Sequence, residues 1–414
     1  MAERFDAYLA AVGAQVRWKR VRPALRRELR THLEEQKADC MAAGMCEADA
    51  EAEAVRQMGD AQAVGQALDA VHRPKKQTLI LIPAALLAVL GAVIRVGYEG
   101  RETATALASL ALTAAVLVGG YFFDYRRLGR HAWFVYGAGL IEWVLLVPMK
   151  LLSGWFMVGS VDTYLALLFP VLYAPVVYAL RGRANGLARS FAALLPFAAL
   201  LHWEPSVATW LCFGAGAAAV LLTAVCSGLF PVKKRAACAG ICAALALWFT
   251  YLYVMFYLRY GAPWYLTPAR IAAWSQGTRE VPLLERTSVT SVLPFAGTGT
   301  AGLLWFGALA LVVCSLLIGL CARAARLHNP LGRMLAVAAA ALFAVRGVSA
   351  GLDLLGICPF YAPLPFVDGN LFSVVDAGLL GLALSGLRQS ACPEAKLTDF
   401  SGSAKCRTAP AERT

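Results

Sequence analysis

Charged side chains are scarce in this chain. Only 15% of its 414 residues are Asp, Glu, Lys or Arg, against 59% hydrophobic, and the mean hydropathy of +0.60 lies well outside the soluble range. That shortage excludes a water-soluble globular fold and leaves the bilayer as solvent. Histidine is scarcer still, with 5 residues; His131, His202 and His328 fall at segment ends without metal-ligand spacing, so no metal site and no cofactor are expected. No cleavable signal sequence is expected either. The first 76 residues are polar and helical rather than a short apolar core before a small-residue cleavage site, and the N-terminus is expected to stay in the cytoplasm. The 11 cysteines lie mostly inside apolar runs, and only Cys358 sits in an expected outer loop, which implies no disulfide framework. Cys238 and Cys242, four apart on an apolar helix with no His or carboxylate nearby, read as small packing residues. Internal repeats of the transporter kind are absent from the sequence.

What the chain has is apolar length. A span needs about 20 apolar residues, and ten segments approach this: 78–97, 103–123, 132–150, 163–180, 187–202, 206–228, 236–257, 302–321, 334–355 and 371–388. The net charge of +12 would suggest nucleic acid if it were concentrated, but residues 1–76 hold 13 Lys/Arg against 12 Asp/Glu. The excess sits instead in DYRRLGRH (124–131), RGRANGLAR (181–189), PVKKR (231–235) and RAARLHNPLGR (323–333), alternating with less basic loops. By the positive-inside rule these connectors face the cytoplasm, with both termini on that side. The expected fold is all-α: a polytopic membrane protein of about ten transmembrane helices over 77–389, with a large outer loop at 258–301. A small cytoplasmic helical bundle over 1–76 precedes it, and a disordered cytoplasmic tail, 390–414, follows.

Within the bundle, Phe5, Leu9, Val12 and Val16 fall at helical spacing, and Pro23 suits the first turn of a second helix carrying Leu25, Leu29 and Leu33 on one face. A third helix is expected near 47–58 and a fourth after an Asp60 cap. Seven basic residues crowd into RWKRVRPALRRELR (17–30), which reads either as a solvated face or as a contact with anionic membrane lipids. In the spans, Arg346, Asp353, Asp376 and Glu142 are ionisable at depth. Charges there normally pair or line a polar cavity, so Arg346 is expected either to pair with Asp376 or Glu142 or to line a groove for a lipid-borne ligand.

The stretch from His328 to Arg388 carries NPLGR before the ninth span and Pro363-Leu364-Pro365-Phe366 before the tenth. In this it resembles the SEDS family of bacterial membrane proteins (FtsW, RodA, SpoVE). VDTYLALLFPVLYAPVVYALRGR, EPSVAT and the long loop after the seventh span extend the likeness from about residue 121 to 388. The first 76 residues, with MGD and a terminal HRP, resemble a permease prefix domain.

The SEDS resemblance implies peptidoglycan glycosyltransfer outside the plasma membrane. A polyprenyl-linked precursor would be joined to an acceptor sugar hydroxyl, with a transpeptidase (penicillin-binding protein) or a division or sporulation protein as partner. Such chemistry needs a carboxylate to accept the proton and positive charge to hold the leaving pyrophosphate. Counting from the segment beginning at Arg270, the position of the family's loop aspartate falls on Glu280, the candidate catalytic residue. Arg270, Glu285, Arg346, Asp353, Pro365, Asp368 and Asp376 are the candidate substrate-binding residues. Several family motifs have changed: VPLLERTS replaces a glycine-rich segment, SGWFMVG lacks paired arginines, and VDGNLFS follows the PLPF loop. Three readings stay open: a cell-wall enzyme, a non-catalytic scaffold or regulator of division or sporulation, and a flippase for a lipid-linked precursor.

Overall fold

The structure, a computed structural model, describes residues 3–19, 21–72, 77–98, 103–153, 159–201, 207–260, 300–327, 329–354, 364–367 and 370–389. Among them the regular structure is entirely helical. Two compact units emerge, one of residues Met1–Lys75 together with Arg388–Thr414 and one of Lys76–Leu387.

In the first unit α1 (Glu3–Gln15) packs on α4 (Ala61–His72) and α2 (Arg22–Ala42) on α3 (Glu47–Met58). The local signals are those of helix ends: Pro23 stands in the first turn of α2, and the Asp60 carboxylate accepts the Ala63 amide at 3.0 Å to open α4. Phe5, Tyr8, Leu9 and Val12 of α1 meet Leu33 and Ala54 in a small core. The basic run is answered from within the same unit. Arg26 pairs with Asp6 at 2.8 Å, Arg30 reaches Asp6 and Glu34, and the Arg17 amide donates to Asp69 at 2.8 Å.

In the second unit ten apolar helices are α5 (Thr78–Tyr98), α6 (Thr103–Phe122), α8 (Ala132–Ser153), α9 (Gly159–Ala179), α10 (Gly186–Leu201), α11 (Val207–Cys226), α12 (Lys234–Tyr260), α13 (Thr300–Ala324), α14 (Pro330–Leu354) and α15 (Asn370–Gln389). A short helix, α7 (Arg126–Arg130), lies before α8. Six of the ten are long and apolar enough within the described residues to cross a membrane; the described parts of α5, α8, α9 and α10 are shorter apolar helices. Their positions follow the ten apolar runs of the sequence. The fold is the expected all-α, polytopic membrane architecture.

Helix α11 lies at the centre, against α9, α14 and α12, and it buries Cys212, Phe213, Ala217, Val220 and Leu221. Polar side chains lock helix pairs where no water could serve: Tyr136 of α8 donates to the Ala193 carbonyl of α10 at 2.8 Å, Tyr173 of α9 donates to the Ser190 carbonyl at 2.9 Å, and Thr163 meets Thr209 at 2.9 Å. Small residues allow the close crossings. A Cβ on Gly120 of α6 would lie 3.1 Å from the Cα of Gly381 in α15, and one on Gly332 of α14 would lie 3.4 Å from the Cα of Gly386.

Candidate functional site

The NPLGR motif has a direct physical meaning. Asn329 caps α14 through its side-chain oxygen, which accepts the amides of Leu331 at 3.0 Å and Gly332 at 3.3 Å, and Pro330 occupies the first helical position. From this fixed start α14 carries Phe343 and Arg346 to residues 364–367, the last three residues of the PLPF stretch and their successor. There Arg346 binds Asp376 of α15 through both terminal nitrogens, one of the two bonds measuring 3.1 Å, and neither side chain has any solvent exposure.

The same carboxylate does a second thing. Its Oδ2 accepts the backbone amide of Phe366 at 2.9 Å, while the Ser373 hydroxyl donates to the Phe366 carbonyl at 3.0 Å. Phe366 has a φ of 63°, alone in the left-handed region among the described non-glycine residues, a conformation that persists only when the surroundings impose it. Those surroundings are two hydrogen bonds to side chains of α15, the Phe343 ring 5.6 Å away, and Gly91 of α5. A Cβ at Gly91 would fall 2.6 Å from the Val367 carbonyl oxygen, so the absent side chain is what lets α5 approach the segment. Phe372 extends the cluster, under the Arg346 guanidinium at 6.0 Å and against the Tyr164 ring at 4.1 Å.

Of the residues singled out in the sequence, Arg346 and Asp376 meet here and Pro365 directly precedes Phe366; all three are buried. Asp353 lies in the last turn of α14, its side chain outside the described residues; Arg270, Glu280, Glu285 and Asp368 also lie outside them. Glu142 is not part of the cluster. Of the two expected partners for Arg346, it is Asp376 that holds the guanidinium, and Glu142 sits exposed on α8. Gly91, Phe366 and Ser373 were not marked in the sequence as members of a site. The signal for Ser373 was its place in VDGNLFS, three residues before Asp376; for Gly91 there was none.

Chemically, a buried guanidinium bound by a carboxylate is neutral as a unit and rigid. It fixes the segment between two spans rather than offering a free charge at this point. Among the described residues no group of three His, Cys, Asp or Glu could hold a metal ion.

The helical frame around this cluster has a solved counterpart. A chain from a peptidoglycan synthase complex that coordinates polymerization and crosslinking superposes with a TM-score of 0.53 at 18% identity, over 75% of this chain and 97% of that one. The fold is that of a chain from this complex. The rod shape determining protein RodA of Thermus thermophilus is similar over 76% of this chain and 96% of its own, at 20% identity and a TM-score of 0.47. A mutant of that RodA gives 19% identity and the same TM-score. No protein-family model matches the chain, and no curated protein matches it.

Proposed function

We propose that this chain is a SEDS-type protein of bacterial cell-wall assembly that recognises a polyprenyl-linked peptidoglycan precursor at the outer face of the plasma membrane. The observation that carries the reading is the shared fold, which spans 97% of a chain from a peptidoglycan synthase complex. The clamped PLPF segment adds to it, since such rigidity suits a wall against which a ligand is held. In this reading the basic connectors lie in the cytoplasm with both termini, and residues 1–76 form a prefix domain there. The segment between α12 and α13 is the outer loop, and Arg270, Glu280 and Glu285 on it would serve the same ligand as Asp353, Pro365 and Asp368. Glu280 takes the proton from the attacking sugar hydroxyl while Arg270 faces the leaving pyrophosphate. A transpeptidase is the partner that would crosslink the product.

A second reading, a precursor-binding scaffold without catalysis, is favoured by one specific feature. Glu280 stands where the resemblance places an aspartate, and the longer side chain displaces the carboxylate by about one carbon–carbon bond, a shift that can cost on the order of 100-fold in rate.

The test is polymerisation of a fluorescent lipid-linked precursor by the purified protein, run beside Glu280→Gln and with binding measured on the same samples. Glycan chains that disappear in Glu280→Gln support the enzyme. Binding without chains, unaltered by the substitution, supports the scaffold. Absence of both refutes the proposal.

A further inference from the structure

Glu142 stands eleventh of the 22 residues of α8, at the depth where a bilayer is driest. Its direction is fixed by the other face of the helix. Ala132, Tyr136 and Trp143 are buried; Tyr136 hydrogen-bonds to Ala193 of α10, and the Trp143 ring lies 5.2 Å from Phe197. With those contacts in place α8 cannot rotate to bring Glu142 inward. The carboxylate is exposed in a stripe with Phe134, Ala138, Ile141 and Leu145, and no hydrogen bond or ion pair engages it among the described residues.

An ionisable side chain facing acyl chains is costly, and in settled membrane proteins such a group finds a partner. Among the described residues no cation within the spans is left to give it. Arg346 is enclosed with Asp376, and the exposed hydroxyls of Thr250 and Ser315 donate within their own helices, to Ala246 at 2.8 Å and Val312 at 2.7 Å. A second copy docked through the same face of α8 would present its own Glu142 carboxyl among Phe134, Ala138, Ile141 and Leu145, not a cation. We infer that the outward face of α8 is a docking surface for the transmembrane helix of a different protein, one that carries a lysine or arginine at mid-depth and pairs it with Glu142. The apolar stripe on either side supplies the packing surface for that helix.

The inference is independent of any reaction at the outer face, and its test reads association alone. Donor-labelled full-length protein is reconstituted in phosphatidylcholine vesicles with acceptor-labelled Leu/Ala peptides of about 20 residues, either wholly apolar or with one central lysine. Energy transfer is followed for the wild type, Glu142→Leu and Glu142→Gln. The lysine peptide is expected to associate about tenfold more tightly than the apolar one with the wild type, and equally with it in Glu142→Leu. Both variants should melt as the wild type does, because the side chain is exposed. Equal association of the two peptides with the wild type, or a lysine preference that survives in Glu142→Leu, overturns the inference. Glu142-dependent energy transfer between copies of the protein, without peptide preference, also overturns it and assigns the face to self-association.

Discussion

Asp376 binds the Arg346 guanidinium and the Phe366 amide with one carboxylate, so a single side chain joins two spans to the segment between them. The ion pair and the left-handed turn are therefore one device.

Breaking this device from one side leaves a bare charge in the core. Asp376→Leu or Arg346→Leu should each lower stability by about 3–5 kcal/mol, whereas the two substitutions combined should cost much less than the sum. The residual loss in the double variant reports the orphaned Phe366 amide. Thermal unfolding in detergent over the four proteins checks this; strictly additive losses would show that the two residues do not act together.

Gly91 and Gly119 give a matched comparison. Gly91→Ala drives a Cβ into the Val367 backbone, which cannot swing aside as a side chain could, and should destabilise by about 1–3 kcal/mol. Gly119→Ala meets nothing within 4 Å and should be neutral or gain up to about 1 kcal/mol from helix propensity. Equal melting temperatures for the two variants would refute the close approach of α5 to the segment.

The crossing of α6 and α15 rests on Gly120 and Gly381. A Cβ at Gly381 would lie 2.8 Å from the Leu117 carbonyl oxygen, so Gly381→Val should force the helices apart and cost about 1–3 kcal/mol. A Cβ at Gly378 would lie 3.6 Å from Val116 Cγ1, so disulfide trapping between Val116→Cys and Gly378→Cys, efficient with Gly381 intact, is expected to fall sharply in the Val variant.

Tyr125, between α6 and α7, is fully enclosed, and burial pushes its phenol up to about 12 from an ordinary 10.0. Burial disfavours the phenolate, so the folded state holds the proton longer than the unfolded one. The resulting stabilisation is complete below pH 10 and is lost as pH rises from 10 to about 12, amounting to ~3 kcal/mol at the upper end. Unfolding measured against pH for wild type and Tyr125→Phe should diverge only in that window. Parallel curves from pH 9 to 12 would contradict it.

Much of the helical frame could be read in the chain because its causes are local. Each apolar run became a helix at nearly the same residues, Asn329 and Pro330 began α14, and Asp60 capped the start of α4, since solvent and capping act over a few residues. The facing of those helices is a different matter. Spans that are apolar all round carry little periodic signal for their inner side, so the sequence could offer both Asp376 and Glu142 to Arg346 without choosing. The rotation of α8, set by Tyr136 and Trp143 against α10, turned Glu142 outward, and the crossing of α14 and α15 delivered Asp376. The left-handed Phe366 and the approach of Gly91 to Val367 likewise join residues far apart in the chain. Sequence alone determined which segments are helices and where charge can reside; only the tertiary packing decided which charges meet, because that depends on the rotation and crossing of helices that each look apolar from every side.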